Sequence, residues 1–145
     1  MKRNTRGLSS WIRFFLLAGT LAVLLFAGGC NVSKDDGKKT RDLEFNVVGD
    51  SDVPAELKQI ITEKTLQPFK LTFNDEQNLY IVVGYGPQST GGYSIAVKEL
   101  YLTENSIVID TELLGPEKGE NPAPETSYPY IVVKTENLEN PVIFQ

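Results

Sequence analysis

The sequence predicts a small α+β domain dominated by a mostly antiparallel sheet: one short helix and six or seven strands, forming a small sandwich or partial barrel. Apolar residues recur at helical spacing in only one segment, between Pro54 and Thr65. After Pro68, apolar residues instead alternate or form short continuous runs, which is typical of strands. None of the later gaps contains a crossover helix of the kind that parallel strands need, so we expect antiparallel pairing.

The first strand is predicted where Leu43, Phe45 and Val47 alternate with other residues. The helix follows, with Pro54 in a position that favours a helix start. Its apolar stripe has i, i+3, i+4 spacing and consists of Leu57, Ile60 and Ile61.

The remaining strands are predicted from alternation or from short apolar runs. The run 79–83 is apolar on both faces of a pleated strand, which indicates a central strand that is buried on both sides. A glycine-dense loop, 84–92, follows it, and a longer loop with three prolines spans 115–127. The other predicted strands are 69–73, 93–97, 107–113, 130–133 and a terminal edge strand, 142–144.

The N-terminal region resembles a bacterial lipoprotein signal peptide. Basic residues precede an apolar run, 14–27, which ends in Gly28, Gly29 and the only cysteine, Cys30. Ala27 stands where such signals commonly have leucine. We expect residues 1–29 to be a signal peptide and Cys30 to carry lipid on the extracytoplasmic face of a bacterial membrane. An uncleaved anchor and ordinary secretion are the alternatives. The polar segment 30–40 is predicted to be a flexible tether, and 41–145 a single domain.

Composition narrows the function classes. The chain has 14 basic and 19 acidic residues, and removal of the four basic residues of the signal leaves a net charge of −9. This charge argues against nucleic-acid binding, which requires clustered Lys and Arg. The sequence has no histidine, so histidine-dependent catalysis and histidine-ligated metal sites are excluded.

Paired carboxylates could still support hydrolysis or bind a metal ion. The candidates mostly lie in predicted turns or on the polar faces of strands, where charged groups are solvated. We therefore predict a non-catalytic protein with no metal and no cofactor. The candidate carboxylates are Asp50, Asp52, Asp75, Glu76, Asp110 and Glu112.

Two segments resemble the PrcB family, which is named for an accessory lipoprotein subunit of a surface protease complex. Residues 80–95 read YIVVGYGPQSTGGYSI, similar to the family's strand, Thr-Gly-Gly-Tyr loop and second strand. Residues 127–133 read SYPYIVV, similar to its Pro-Tyr segment and hydrophobic strand. The resemblance implies a binding module that stabilises or regulates an exported protease, with no catalytic residue to transfer.

The two segments contain the predicted partner-binding residues. Tyrosines at a rigid edge bury much area at low entropic cost, so they favour a recognition loop. The glycine-dense loop could equally be a hairpin connection in which Gly91 and Gly92 adopt positive φ. A cis Tyr128–Pro129 bond is a further hypothesis. A protease inhibitor and an envelope glycan- or peptidoglycan-binding module are the alternative functions. The predicted binding residues are Tyr85, Gln88, Ser89, Thr90, Gly91, Gly92, Tyr93, Tyr128 and Tyr130.

Overall fold

The computed structural model describes residues 37–145, so the predicted signal peptide, Cys30 and most of the predicted tether lie outside the described residues. Within this range the chain forms one helix and eight strands. None of the described residues forms a helix with the length and apolar character needed to span a membrane. The elements are β1 (Lys39–Asp42), β2 (Phe45–Val47), α1 (Ala55–Lys64), β3 (Pro68–Asn74), β4 (Asn78–Tyr85), β5 (Ser94–Thr103), β6 (Ile107–Leu114), β7 (Tyr130–Glu136) and β8 (Val142–Phe144).

The strands form two four-stranded sheets. Sheet A has the order β1-β5-β6-β8, and sheet B has the order β2-β7-β4-β3. The predicted β-dominated α+β fold is confirmed, and the sheets do not close into a barrel. All strand pairs are antiparallel except β6 and β8, which are parallel. In the chain, β7 of sheet B lies between β6 and β8. The connection between these two parallel strands therefore contains a strand and not a crossover helix.

The core has two parts, one on each side of sheet B. Between the sheets, alternate residues of β4 (Leu79, Ile81, Val83) pack against Ile107 and Ile109 of β6. On the other face of sheet B, α1 covers a second cluster. Strand β4 is therefore buried on both faces, as its continuous apolar run predicts. The second cluster contains Val53, Leu57, Ile61, Tyr80, Val82 and Val132.

The predicted first strand is wrong in detail. Leu43 lies between β1 and β2, is buried in the core, and donates its N–H to the carbonyl of Leu100 at 3.0 Å. Phe45 and Val47 belong to an edge strand and are 37% and 60% exposed. The chain thus passes from sheet A to sheet B at Leu43, which explains why the structure has eight strands and not six or seven.

Candidate binding site formed by two loops

The two segments that carry the family resemblance meet at one end of the sandwich. The glycine loop (86–93) connects β4 to β5, and the proline loop (115–129) connects β6 to β7. Both loops therefore cross between sheet A and sheet B. They start and end side by side because Gly84 of β4 pairs with Tyr130 of β7. The hairpin predicted for the glycine loop is wrong, since β4 and β5 belong to different sheets.

Hydrogen bonds join the two loops along their length. Gln88 and Ser127 exchange backbone bonds of 2.8 and 3.0 Å, forming a short antiparallel bridge. The Ser127 hydroxyl donates to the carbonyl of Thr90 at 2.6 Å. Further along, the Gly91 N–H donates to the carbonyl of Ala123 at 2.9 Å. We refer to the two bonded loops together as the loop platform.

Where the two loops approach each other, Gly92 adopts a conformation that favours glycine, whereas Gly91 does not. Gly92 has a φ of 81°, and a Cβ placed there would lie 3.2 Å from the ring of Pro116. At Gly91 a Cβ would lie 3.7 Å from that of Ala123, and its φ is not positive. The expected positive φ is therefore correct for Gly92 and wrong for Gly91. The second positive φ in this loop is at Gly86, 70°, where a Cβ would lie 2.7 Å from Cδ of Pro68.

Two of the predicted binding tyrosines use their hydroxyl groups inside the domain. The Tyr85 hydroxyl lies 2.8 Å from Oγ1 of Thr111, across the gap between the sheets. The Tyr130 hydroxyl donates to Oδ1 of Asp50 at 2.7 Å, on the helix side of sheet B. Burial, together with this bond, raises the pKa of Tyr130 to about 12. The hydroxyl groups of both tyrosines are thus already hydrogen-bonded within the domain.

The other predicted residues lie on or near the surface of the loop platform. Tyr128 is 41% exposed, which makes it the most accessible of the predicted tyrosines. Tyr93 is half-buried; a Cβ on Gly115 would lie 3.5 Å from its ring. Ser89 is exposed, whereas Gln88 and Thr90 are half-buried beneath the proline loop. All peptide bonds among the described residues are trans, so the predicted cis Tyr128–Pro129 bond is wrong.

Sequence reasoning included Tyr128 of the proline loop in the site but did not predict that this loop pairs with the glycine loop. It also missed Leu114, which is 43% exposed where β6 enters that loop. The proline loop carries Glu117, Glu120 and Glu125 but only one cation, Lys118. Its acidic composition is visible in the sequence. Its pairing with a loop almost forty residues away is not.

The carboxylates that could have supported catalysis are dispersed. Asp75 accepts N–H bonds from Gln77 at 2.8 Å and Asn78 at 2.6 Å in the β3–β4 turn. These bonds lower its pKa below the usual aspartate value. Asp110 lies 3.8 Å from the Lys98 ammonium. In residues 37–145, no three acidic, cysteine or histidine side chains are grouped as metal ligands.

The fold and this site define a class of protein: an α-β-β sandwich that displays a surface of two hydrogen-bonded loops with an exposed tyrosine. Residues 79–136 match the family model described as PrcB C-terminal, which confirms the resemblance predicted from the sequence. The matched segment extends from β4 to β7 and includes the whole loop platform. Neither the curated proteins nor the solved structures gave a match.

Proposed function

We propose that this chain is a non-catalytic accessory subunit that binds an exported protease and stabilises or regulates it. It would do so from the extracytoplasmic face of a bacterial membrane, anchored by lipid on Cys30. The observation that carries the proposal is the loop platform. The two segments that resemble the PrcB family are joined there by backbone hydrogen bonds, within the part of the chain that matches the PrcB C-terminal model.

The geometry of the loop platform suits protein recognition. A surface whose loops are already bonded to each other loses little conformational entropy when a partner binds. Tyr128 and Leu114 supply exposed apolar area. Ser89 and the acidic proline loop supply a polar rim. The negative charge of this rim favours a partner with a basic contact surface.

The same geometry gives less support to the two alternatives. A protease inhibitor that inserts a loop into a cleft needs a projecting segment, but Gln88 and Thr90 are half-buried and bonded to the proline loop. A glycan site would stack sugars on several open aromatic faces. Among the predicted binding tyrosines, Tyr128 is exposed, whereas the other three are half-buried.

Site-specific photocrosslinking in the native cell would test the proposal. A photoreactive phenylalanine analogue in place of Tyr128 is expected to crosslink to one exported protease, identified by mass spectrometry. The same analogue in place of Gln59, exposed on α1, is the matched control and should not crosslink to that protease. Deletion of the chain should also lower the amount or alter the activity of the protease. Equal crosslinking at both positions, or an unaffected protease, would contradict the proposal.

A further inference from the structure

Strand β3 is a free edge of sheet B. Among the described residues it pairs only with β4. The hydrogen bond from the Asp75 N–H to the carbonyl of Asn78 fixes which residues of β3 direct their backbone N–H and C=O groups toward β4. Because bonding alternates along an antiparallel pair, Leu71 and Phe73 bond to β4, whereas Lys70 and Thr72 direct their N–H and C=O groups outward. Within residues 37–145, no strand pairs with these outward groups.

A groove lies on each face of the sheet beside this edge. The larger, about 630 Å³, is on the side of sheet A and is lined by Lys70, Tyr85 and Thr111 among others. The smaller, about 420 Å³, is on the helix side beside Leu66, which is 68% exposed. Both grooves include Pro68 and Phe69, so they flank the same end of the same strand. Successive side chains of a strand added to this edge would point alternately into the two grooves.

The charge beside the edge indicates what kind of strand it would accept. Lys70 has the only charged side chain that lines the larger groove. Its ammonium lies 5.5 Å from the ring centre of Phe144, and none of the ion pairs among the described residues involves it. A lysine at a free edge disfavours pairing with a second copy of the same edge, because the two ammonium groups would repel each other. The same lysine would attract a carboxylate.

We propose that the free edge of β3 accepts an extended segment of a partner protein as an additional strand. The segment carries an acidic side chain beside Lys70, on the side of the larger groove, and apolar side chains on its other face. Pairing extends over Lys70–Asn74, since Pro68 has no N–H to donate. This surface shares only Tyr85 with the predicted binding residues, so it does not depend on the loop platform or on the nature of the partner there.

A labelled peptide would test the proposal directly. The probe is a fluorescein-labelled seven-residue peptide of alternating valine and threonine with one central glutamate, titrated against the purified full-length chain in mild detergent. Saturable binding is expected by fluorescence anisotropy. Replacement of the glutamate by lysine should weaken binding about tenfold, the effect of losing one charge-assisted hydrogen bond. The Lys70→Glu variant should reverse this preference.

Two blocking controls separate strand addition from nonspecific contact. Thr72→Pro removes an outward N–H while keeping every bond to β4, a position where edge strands tolerate proline. It should weaken binding about tenfold or more, whereas Thr72→Val should not. A peptide that is N-methylated on its pairing edge should not bind the unaltered protein. This second control tests strand pairing even if Thr72→Pro does not fold. Absence of saturable binding up to about 1 mM, equal binding of the methylated peptide, or an unchanged charge preference in Lys70→Glu would overturn the proposal.

Discussion

The side-chain hydroxyl of Ser127 donates a 2.6 Å hydrogen bond to the carbonyl oxygen of Thr90, thirty-seven residues earlier in the chain. Together with the backbone bonds between Gln88 and Ser127, it binds the proline loop to the glycine loop. The two segments that resemble the PrcB family therefore act as one structural unit.

The Ser127→Ala variant should loosen the loop platform. Loss of one part-buried hydrogen bond is expected to lower the free energy of unfolding by about 1 kcal/mol, measured by urea denaturation. Amide exchange at Gly91, which bonds to Ala123 further along the same interface, should become faster. Ser89→Ala is the matched control, because Ser89 is an exposed serine of the glycine loop, within the same loop platform. Equal effects of the two substitutions would show that the hydroxyl bond does not hold the loops together.

Gly84→Ala should destabilise sheet B through a clash with Phe69. A Cβ on Gly84 would lie 2.1 Å from Cε1 of the Phe69 ring, so the ring must move. The expected cost is about 1–3 kcal/mol of unfolding free energy, typical of an overpacked site. In a double-mutant cycle, Phe69→Leu should relieve part of this cost, so the two effects should not add. Strict additivity would mean that the ring already has room to move.

The Tyr130–Asp50 bond predicts a loss of stability at high pH. The pKa of Tyr130 is raised from 10.0 to about 12, so the folded state retains a proton that the unfolded state has already released. The stabilisation is fully present below pH 10 and is lost as the pH rises toward 12. Tyr130→Phe should remove this component. Its unfolding free energy should fall less than that of the unaltered protein between pH 10 and pH 12, as measured by denaturant titration at each pH. Parallel curves for the two proteins would count against the assignment.

The Asp75 turn predicts a loss of stability at low pH. Backbone N–H bonds from Gln77 and Asn78 hold the pKa of this carboxyl below its ordinary value of 3.8. The charged form is therefore favoured in the folded state. Its stabilisation is present above the unfolded pKa and is lost as the pH falls through the folded value.

Asp75→Asn is the informative variant for this turn, because its side-chain oxygen can still accept the two N–H bonds but does not titrate. Its melting temperature should depend less on pH below pH 4 than that of the unaltered protein. Asp75→Ala should lower the melting temperature at neutral pH as well, since both N–H bonds to Oδ1 of Asp75 are lost. If Asp75→Asn retained the full acid sensitivity, the titrating group would have to be another residue.

Local pattern was sufficient to predict α1 and β4. The spacing of Leu57 and Ile61 places both on the face that contacts sheet B, and the run Leu79–Val83 has no polar side chain on either face except the tyrosine hydroxyl of Tyr80. These signals succeed because burial imposes them directly on neighbouring residues.

Features that depend on distant pairing could not be predicted in this way. Alternation at Phe45 and Val47 indicates a strand, but it does not show that β2 is an edge strand paired with β7. The internal partner of Tyr130 is Asp50, eighty residues away. Without that contact, a tyrosine beside a proline resembles an exposed interface residue. For the same reason, the glycine loop resembled a hairpin until its pairing with Ser127 was known.

The order β2-β7-β4-β3 has a consequence for how the chain is made. During synthesis the N-terminus emerges first, so β2 is present long before its partner strand β7 (Tyr130–Glu136) has been made. Until then, only the β3–β4 hairpin of sheet B can form, and the apolar run of β4 has no strand on its other side. Such an intermediate exposes aggregation-prone surface until β7 has been synthesised. The yield of folded protein should therefore depend on chaperones that protect this incomplete sheet.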